Sequence, residues 1–322
     1  MKKEYQKFGN SFCILPFLHT MIDLDNQRKL CCESAKFTIN ENRLNKVRQL
    51  MLENKPVKEC EFCQNLENRK IISQRQKHNA EWQKKIPNEI EDIIINPKTI
   101  YYDLRYSNLC NLTCKMCGPR ASSAWAKILQ KENVYKTWDP ETFEINTDVR
   151  KIYMAGGEPF LIKSFSSVLD KVKNTDCEIV INTNATIITN HMLESLKKFK
   201  NVCFTLSIDG TGQTIEKIRK GSNWNEIQKN ISILKKELNP SFMVSTTLQV
   251  DNILNIPELA KWIDNQDIRL WNIFLVQGCP DLHPYNFNGN INWQDDLWTR
   301  NCVKNNQALQ QTLRNVMSVL SS

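Results

Sequence analysis

The sequence predicts an α/β fold of parallel βα units, because strand-like runs and amphipathic helices alternate from residue 99 onward. Six apolar runs have the length and composition of strands, namely Thr99–Tyr106, Lys151–Ala155, Glu178–Thr183, Cys203–Ile208, Phe242–Gln249 and Ile268–Val276. Five segments between them have helical spacing of apolar residues, namely Ala121–Lys131, Lys163–Lys173, Asn190–Phe199, Asn225–Leu238 and Ile256–Asn265. Asn190 and Pro257 lie where an N-cap and a first-turn proline belong. Six such units fit an open doubly wound sheet or a partial (β/α) barrel, and both place chemistry in the loops after the strands.

The two ends of the chain lack this regular alternation. Residues 1–95 are irregular and rich in Lys, Asn, Glu and Cys. Within them we expect a helix over Asn42–Asn54 and a charged helical stretch over about Glu67–Lys85. A final helix, Asn305–Leu320, has an apolar face and is expected to pack on the body of the protein.

The composition is that of a soluble globular protein. Of the 322 residues, 41% are hydrophobic and 24% are charged, and no stretch approaches the roughly eighteen apolar residues of a membrane span. The apolar run Phe12–Phe17 is too short and too interrupted for a signal peptide, so we expect a cytoplasmic protein with no membrane partner. The net charge of +8 is spread along the chain, which fits simple solubility or attraction to an acidic partner. Basic and aromatic residues form no common stripe, so nucleic acid is not expected as a partner.

Twelve cysteines are many for a chain without an export signal. In a reducing compartment, cysteines are metal ligands or small buried hydrophobes more often than disulfides. Eight of them fall into two groups, with Cys13, Cys31, Cys32, Cys60 and Cys63 near the start and Cys110, Cys114 and Cys117 further on. The isolated ones are Cys177, Cys203, Cys279 and Cys302, of which Cys203 opens a strand-like run and is expected to fill the core.

The second group follows the predicted strand Thr99–Tyr106 with the spacing C-x3-C-x2-C. Three thiolates in one loop can bind three irons of a four-iron cubane and leave the fourth iron open to a ligand. Zinc favours four ligands in a closed site, and no fourth Cys or His follows nearby. The alternatives are a zinc loop with one distant ligand, or unpaired thiols.

Glycines and polar residues follow the next predicted strands. The segment Gly156-Gly157-Glu158-Pro159 lets the backbone approach a ligand and offers a carboxylate to an ammonium group, although two glycines also suit a plain turn. The following strands end with Asn182, Asn184, Ser207 and Asp209.

Two charged residues have an ordinary local interpretation as well as a functional one. Asp209 fits a cap of the next helix as well as a ligand contact. Arg219, within Ile218-Arg219-Lys220-Gly221-Ser222, fits either a solvated cation at a helix end or a bidentate partner of a carboxylate.

In this order, over residues 99 to about 276, these motifs resemble those of the radical S-adenosylmethionine (SAM) superfamily. The resemblance implies a partial (β/α)6 barrel of the TIM type, with a SAM-binding 4Fe-4S cluster on the three cysteines of the C-x3-C-x2-C loop. It implies that Glu158 and the neighbouring backbone bind the amino group of SAM and that Arg219 binds its carboxylate. It places further SAM contacts at Met116, Gly156, Gly157, Asn182, Asn184, Ser207 and Asp209.

The resemblance also implies an activity. Such enzymes reductively cleave SAM at the cluster to a 5′-deoxyadenosyl radical, which abstracts hydrogen from a substrate. The cofactors perform this reaction, so no catalytic side chain is expected and the lack of a Ser/His/Asp arrangement is no objection. An electron donor such as flavodoxin or ferredoxin is expected as a partner.

The first cysteine group offers enough thiolates for a second, closed site. Cys13, an upstream Cys31 or Cys32, and the C-x2-C pair Cys60 and Cys63 could bind zinc or an iron–sulfur cluster. The segment resembles the auxiliary-cluster part of Twitch and SPASM radical enzymes, which implies a second 4Fe-4S cluster. In this resemblance Asn26 stands where the hairpin glycine usually stands and adopts the same left-handed turn, which selects Cys31 as ligand with Cys32 as the alternative. The segment departs from the usual order, because it precedes the barrel.

The predicted domain organisation follows from these motifs. Residues 1–95 are a Cys-rich auxiliary iron–sulfur domain, residues 96–280 the radical SAM core, and residues 281–322 a C-terminal loop and helix. The expected substrate is a peptide or protein side chain; the alternatives are a small metabolite such as a nucleotide or sugar, or a non-enzymatic iron–sulfur electron carrier. The loop Gln277–Tyr285, with Cys279 and His283, either lines the substrate site or is an ordinary connection.

Overall fold

The computed structural model describes residues 8–34, 36–131, 135–137, 139, 143–293 and 295–320. They form an eight-stranded sheet, a separate two-stranded ribbon and fourteen α-helices. The strands are β1 (His19–Ile22), β2 (Arg28–Lys29), β3 (Tyr101–Leu104), β4 (Thr113–Cys114), β5 (Lys151–Met154), β6 (Glu178–Thr183), β7 (Asn201–Ser207), β8 (Arg219–Lys220), β9 (Ser241–Leu248) and β10 (Leu270–Leu275). The helices are α1 (Leu15–Leu18), α2 (Glu41–Leu52), α3 (Glu61–Asn68), α4 (Gln74–Lys85), α5 (Ile90–Ile95), α6 (Ser123–Ile128), α7 (Ser164–Lys171), α8 (Asn190–Leu196), α9 (Gly212–Ile218), α10 (Trp224–Leu238), α11 (Ile256–Asn265), α12 (Asp295–Thr299), α13 (Asn301–Lys304) and α14 (Gln307–Leu320).

All six predicted strands form, and they lie side by side in the order of the chain. The order across the large sheet is β10-β9-β7-β6-β5-β3-β1-β2. From β3 to β10 each strand pairs in parallel with the next. A doubly wound sheet reverses its strand order at a switch point, so this order rules out the doubly wound alternative for the described residues. All the carboxyl ends therefore lie along one edge, and the loops that follow the strands meet there.

The five predicted helices of this region also form, as α6, α7, α8, α10 and α11. Pro257 lies in the first turn of α11, as expected. Asn190 is not the N-cap of α8: it is the first helical residue, and Thr189 occupies the cap position without a side-chain hydrogen bond. Helix α9 was not predicted from the sequence; it is short, and its cap residue, Thr211, also makes no capping side-chain hydrogen bond.

The amino-terminal segment is more regular than predicted. It contains five helices, and its strand β1 pairs in parallel with β3, so it extends the same sheet. The antiparallel hairpin β1–β2 turns at Asn26, whose φ of 54° confirms the predicted left-handed conformation. The helix predicted over Asn42–Asn54 is α2, and the charged stretch Glu67–Lys85 is divided between the end of α3 and α4. The predicted domain boundary at residue 95 stays a prediction.

Two clusters of buried apolar residues hold the described residues together. The larger cluster lies between the sheet and helices such as α7, α10 and α11, and includes Phe165, Phe204 and Trp271. The smaller cluster belongs to the amino-terminal segment, with Phe12, Phe17 and Trp82 among its members, and it reaches Ile100 and Tyr101 beside β3. Burying a large side chain of this kind contributes about 1.5–3 kcal/mol, so the second cluster fixes the amino-terminal segment against the sheet.

Helix α4 covers the amino-terminal ends of β5 and β6 through charged side chains. Lys151, the first residue of β5, contacts Glu81 of α4 at 2.6 Å and Glu178 of β6 at 3.5 Å. Lys85 of α4 forms a further ion pair with Glu178. Because these four charges alternate in sign and are partly shielded from water, α4 is held over the end of the sheet opposite the motif-bearing loops.

The predicted carboxyl-terminal helix forms as α14 and buries Leu309, Leu313 and Val316. Among the described residues, no helix combines the length and the apolar character needed to cross a membrane.

Candidate functional site

The three predicted cluster ligands lie in the loop at the carboxyl end of β3. Cys114 belongs to β4, which pairs antiparallel with β8 and places Cys114 opposite Arg219. The backbone N–H of Cys110 donates to Ser123 Oγ at 3.1 Å, and Trp125 Nε1 donates to the Cys114 carbonyl oxygen at 2.9 Å. Helix α6, which carries Ser123 and Trp125, and strand β8 therefore hold the cysteine loop from two sides.

The thiols of this loop interact with one another electrostatically. Cys114 is buried, and Cys110 and Cys117 are half-buried. Burial raises the pKa of Cys110 to about 11, and the nearby Glu158, Cys114 and Cys117 add to the rise. Burial also raises the pKa of Cys114, with Cys117 again adding to it. Metal ligation needs thiolates, so this group would release its protons when an iron cluster binds.

As it stands, no group of three or more His, Cys, Asp or Glu side chains among the described residues is arranged around a single metal position.

The glycines after β5 pack directly against the cysteine loop. Gly157 has a φ of +54°, and a Cβ atom there would lie 2.2 Å from the carbonyl oxygen of Leu109. Gly156 has a φ of +88°, and its Cβ would lie 2.8 Å from the carbonyl oxygen of Ser107. Both positions therefore require glycine for two reasons, the left-handed conformation and the close approach of another backbone. The second predicted motif fixes the loop that carries the first.

Glu158 is buried and joins the ends of β5 and β6. Its backbone N–H donates to the Leu109 carbonyl oxygen at 2.7 Å. Its carboxylate accepts from Thr183 Oγ1 and the backbone N–H of Asn184, both at 2.7 Å, and from the backbone N–H of Phe160 at 3.2 Å. Burial raises the pKa of Glu158 to about 7 despite these hydrogen bonds. A cationic ligand beside this carboxylate would favour its ionised form.

The predicted polar contacts at the ends of β6 and β7 differ in their surroundings. Asn184 is buried, and its side chain donates to Asn111 of the cysteine loop at 3.2 Å. Asn182 and Ser207 are half-buried and lie on one face of the sheet, because Asn182 pairs in register with Thr205, two residues before Ser207. The structure thus brings Asn184 to the loop, while Asn182 and Ser207 line the neighbouring face.

Arg219 forms an ion pair with Asp209. The Nε atom of Arg219 lies 2.8 Å from Asp209 Oδ2, and the Asp209 side chain is fully buried. Burial raises the pKa of Asp209, and the guanidinium opposes that rise. Asp209 therefore does not cap the next helix; its Oδ1 instead accepts from the backbone N–H of Thr247. The pair holds Arg219 beside Cys114.

Two features of this site were missed in the sequence. Asp251, after β9, accepts from Lys115 of the cysteine loop at 2.8 Å and lies 2.7 Å from Lys217. Gln249 is fully buried, its Nε2 lies 4.0 Å from the sulfur of Met116, and its Oε1 has no hydrogen-bond partner among the described residues. The sequence did contain a signal for Gln249, since it ends the apolar strand-like run Phe242–Gln249. A buried amide in that position needs a hydrogen-bond partner, which points to a ligand contact.

The loop after β10 brings one of its two candidate residues towards the cluster loop. Cys279 lies near enough to Cys117 to raise the pKa of that thiol, although burial is the larger cause. His283 instead packs on Tyr285, with ring centres 4.7 Å apart. The structure therefore associates Cys279, and not His283, with the three-cysteine loop.

The amino-terminal cysteines gather around one small cavity. Cys13, Cys31, Cys60 and Cys63 all line it, together with Cys32. Burial raises the pKa of Cys13 strongly, and Cys60, Cys31 and Cys63 each add to that rise. The pKa of Cys60 is likewise raised by burial and then by Cys31 and Cys63. Four thiols from separate segments thus line one cavity and lie within electrostatic range of one another, although they are not arranged around a single metal position.

Cys32 has different neighbours. Burial in a concave surface raises its pKa to about 12, opposed by Arg105, while Cys31 and Asp103 add to the rise. Arg105 and Asp103 form an ion pair of 2.9 Å beside β3. Cys32 thus lies next to Cys31 but is oriented towards charged residues of the sheet, whereas Cys31 interacts with the other three thiols.

The sequence model of the radical SAM superfamily matches residues 104–263, which include the cysteine loop, the glycine motif and Arg219. This match of 160 residues, just under half of the 322, is to a superfamily whose members are enzymes with a 4Fe-4S cluster that binds SAM.

Two curated relatives have related sequences. The tungsten-containing aldehyde ferredoxin oxidoreductase cofactor-modifying protein of Pyrococcus furiosus is 27% identical over 206 residues, which are 58% of this chain and 54% of the relative. The sporulation killing factor maturation protein SkfB of Bacillus subtilis is 23% identical over 175 residues, 50% of this chain and 39% of the relative. The chain thus spans about half or less of the length of these relatives.

Solved structures give more distant matches. Native anSMEcpe with bound AdoMet has a TM-score of 0.45 and 18% identity, covering 67% of this chain and 59% of that one. SuiB of Streptococcus suis has a TM-score of 0.44 and 14% identity, covering 88% and 63%.

Proposed function

We propose that the protein is a radical SAM enzyme that modifies a peptide or protein side chain. When bound, the cluster and SAM together supply a 5′-deoxyadenosyl radical that removes a hydrogen atom from an unactivated carbon of the substrate. The observation that carries the proposal is the packing of Gly156 and Gly157 on the cysteine loop, with Arg219 paired opposite Cys114. Motifs that lie more than a hundred residues apart therefore meet in one place.

Within this site the residues of the chain have separate tasks. Cys110, Cys114 and Cys117 would hold three irons and leave the fourth accessible. Glu158 and the backbone beside it would receive the ammonium group of SAM, and Arg219 its carboxylate. Asp209 would orient Arg219 through their ion pair.

The remaining predicted contacts belong to the rest of the SAM molecule. Met116, Asn182, Asn184 and Ser207 would line its ribose and base. The loop lies at the carboxyl edge of singly wound strands, which supports the partial (β/α)6 barrel as the architecture of this region.

For the amino-terminal segment we propose an auxiliary 4Fe-4S cluster on Cys13, Cys31, Cys60 and Cys63. The mutual influence of these four thiols supports this set over one that contains Cys32. Zinc in the same four-thiolate site is the alternative. Residues 1–95 would then be an auxiliary domain of the Twitch type placed before the core, and an electron donor such as flavodoxin or ferredoxin would serve the enzyme.

The relatives point to two substrate classes. SkfB is named as the maturation protein of a killing factor, which favours a peptide or protein substrate. The relative from Pyrococcus furiosus is named as a cofactor-modifying protein, which favours a small molecule as the second candidate.

The proposal is tested by anaerobic reconstitution with iron and sulfide, reduction with dithionite, and measurement of 5′-deoxyadenosine after SAM is added. We expect cleavage by the wild type and none by Cys114→Ala, which should keep the amino-terminal metal. Cys203→Ala is the matched control, because Cys203 is half-buried in β7 and belongs to neither cysteine group. Cleavage that survives in Cys114→Ala contradicts the cluster assignment, and fully loaded wild type without cleavage favours an electron carrier.

A further inference from the structure

A second concave surface lies beside strand β10, which is the last strand of the sheet. Its walls are the segment from Phe62 to Lys77, β10 itself with the loop after it, and the first half of α14. We call this surface the edge groove. Its volume of about 640 Å³ lies within the roughly 300–1,000 Å³ of a typical binding pocket. The groove therefore has room for a ligand the size of a few extended residues.

The floor of the edge groove offers backbone hydrogen-bonding groups. Val276 donates to Leu248 of β9, while Trp271 accepts from Asn306 on the opposite side. Because backbone groups alternate sides along a strand, those of Ile273 and Leu275 point away from β9. Among the described residues these outward groups have no hydrogen-bond partner. An extended chain laid beside them would add a strand to the sheet.

The walls carry exposed apolar side chains. Phe62 is 40% exposed, Ile71 37%, Ile72 49% and Phe274 43%. Single exposed apolar side chains are normal on a protein surface, but here four large ones line the same groove. Exposed apolar patches of this kind mark sites of association.

The charges of the edge groove favour an acidic occupant. Arg69, Lys70 and Lys77 line it on one wall, against the single carboxylate of Glu33. In the described part of the chain Arg69 and Lys70 form no ion pair with a carboxylate, whereas Lys77 interacts electrostatically with Glu33. Unpaired cations in a groove raise the local concentration of an anionic ligand and select against a basic one.

The edge groove leads towards the three-cysteine loop. The segment after β10 contributes Gln277 and His283 to its wall, and between them lies Cys279, which is near Cys117. A chain along β10 would span about 20 Å, since a strand rises about 3.3 Å per residue. Residues that continue past the end of β10 would therefore reach the cysteine loop.

We propose that the edge groove binds an extended, acidic stretch of the substrate peptide as an additional strand on β10, and so directs the flanking residues to the radical site. This inference rests on the proposed function for the identity of its occupant. Side chains of the added strand would alternate between the two faces of the sheet, with one set beside Phe274 and the wall that carries Ile72.

The test measures binding of a fluorescein-labelled decapeptide of alternating valine and glutamate to the reconstituted protein by fluorescence anisotropy. The same decapeptide with lysine in place of glutamate is the comparison probe. We expect the acidic probe to bind at least tenfold more tightly than the basic one, and to weaken as salt is added. Equal binding of the two probes, or no binding of the acidic one, overturns the proposal.

Two sets of variants separate charge from backbone pairing. Charge reversal at the three groove cations (Arg69→Glu, Lys70→Glu and Lys77→Glu together) should lower the affinity for the acidic probe at least tenfold. Charge reversal at three exposed cations elsewhere (Lys198→Glu, Lys229→Glu and Lys261→Glu) should change this affinity less than threefold. Leu275→Pro removes an outward N–H and should weaken binding of the acidic probe while leaving its salt dependence unchanged, whereas Leu275→Ala keeps the N–H and should bind within threefold of wild type. Binding by Leu275→Pro equal to that of Leu275→Ala overturns the added strand.

Two further measurements distinguish the possible failures. If the wild type is a dimer in solution and Leu275→Pro is a monomer, a second copy of this chain occupies the edge and the peptide proposal is wrong. SAM cleavage is assayed in parallel on the wild type. Cleavage without binding of the acidic probe contradicts the edge groove alone, and binding without cleavage contradicts the proposed radical chemistry while the groove stands.

Discussion

The two cysteine sites of this protein illustrate two ways in which a sequence specifies a site. In the region from β3 to β10, the cysteine loop, Glu158, Asn184 and Asp209 come after successive strands, and parallel strands bring their carboxyl ends to one edge. In the amino-terminal segment, Cys13, Cys31, Cys60 and Cys63 come from a loop, a hairpin end and a helix entry. Their meeting depends on tertiary packing around residues such as Trp82, which no local pattern reveals.

The two sites also differ in what holds them in place. The cysteine loop after β3 is fixed by close backbone packing with Gly156 and Gly157 and by pairing with β8. The amino-terminal thiols are surrounded by apolar side chains and by the ion pair of Arg75 with Glu67. The first arrangement depends on single backbone atoms and the second on a packed cluster, so the two should respond differently to substitution.

The largest expected effect comes from Gly157→Ala. The added Cβ meets the Leu109 carbonyl oxygen at 2.2 Å and imposes a side chain at a φ of +54°. The left-handed conformation costs about 1–2 kcal/mol and the overlap about 1–3 kcal/mol more. We expect a melting temperature lower by several degrees and loss of SAM cleavage, measured by thermal unfolding and by 5′-deoxyadenosine formation.

Gly278→Ala is the matched control for this change. Gly278 also has a positive φ, +72°, but a Cβ there meets nothing within 4 Å. Gly278→Ala should therefore lower the free energy of unfolding only by the cost of the left-handed conformation, about 1–2 kcal/mol. Similar losses in the two variants would show that the close approach to the cysteine loop does not matter.

The strand ends could be predicted from the sequence because alternation and motif position are local signals. Those signals gave the six parallel strands and placed Glu158, Asn184, Asp209 and Arg219 around the cysteine loop. They did not give the pairing of Arg219 with Asp209, since an ion pair between two loops has no spacing rule. Nor did they reveal β1, whose four residues join the sheet only because β3 provides a partner edge.

The second prediction concerns which of two adjacent cysteines belongs to the amino-terminal site. Cys31→Ser removes a thiol that interacts with Cys13, Cys60 and Cys63, so we expect iron to fall from about eight to about four per chain. Cys32→Ser should leave the iron content unchanged, because its thiol interacts chiefly with Arg105, Cys31 and Asp103. Iron and sulfide analysis with absorption spectra measures both. The reverse result would assign Cys32 as the ligand, and a wild type with iron near four per chain and zinc present would exclude the auxiliary cluster.

The smallest effect is a pH dependence that arises from Glu158. Its pKa is raised by burial from 4.5 to about 7, so between these values the folded protein keeps a proton that the unfolded chain has lost. Stability from this group therefore falls as pH rises from about 4.5 to 7, by up to about 3 kcal/mol, and is constant above that range. Glu158→Gln cannot ionise, so its stability relative to wild type should increase over the same interval.

The melting temperatures of Glu158→Gln and of the wild type are measured without SAM at pH 5, 6, 7 and 8. The Gln amide loses one hydrogen bond with Phe160 or Asn184 at every pH, which shifts the whole curve, so the change of the difference with pH is what reports the titration. Glu226→Gln, at an exposed position on α10, is the matched control for the substitution itself. Addition of SAM should then reduce the pH dependence in the wild type, because an ammonium group beside the carboxylate favours its ionised form. A difference between Glu158→Gln and wild type that stays constant from pH 5 to pH 8 would mean that Glu158 is already ionised in the free protein, and that the site is prepared for its cation before SAM arrives.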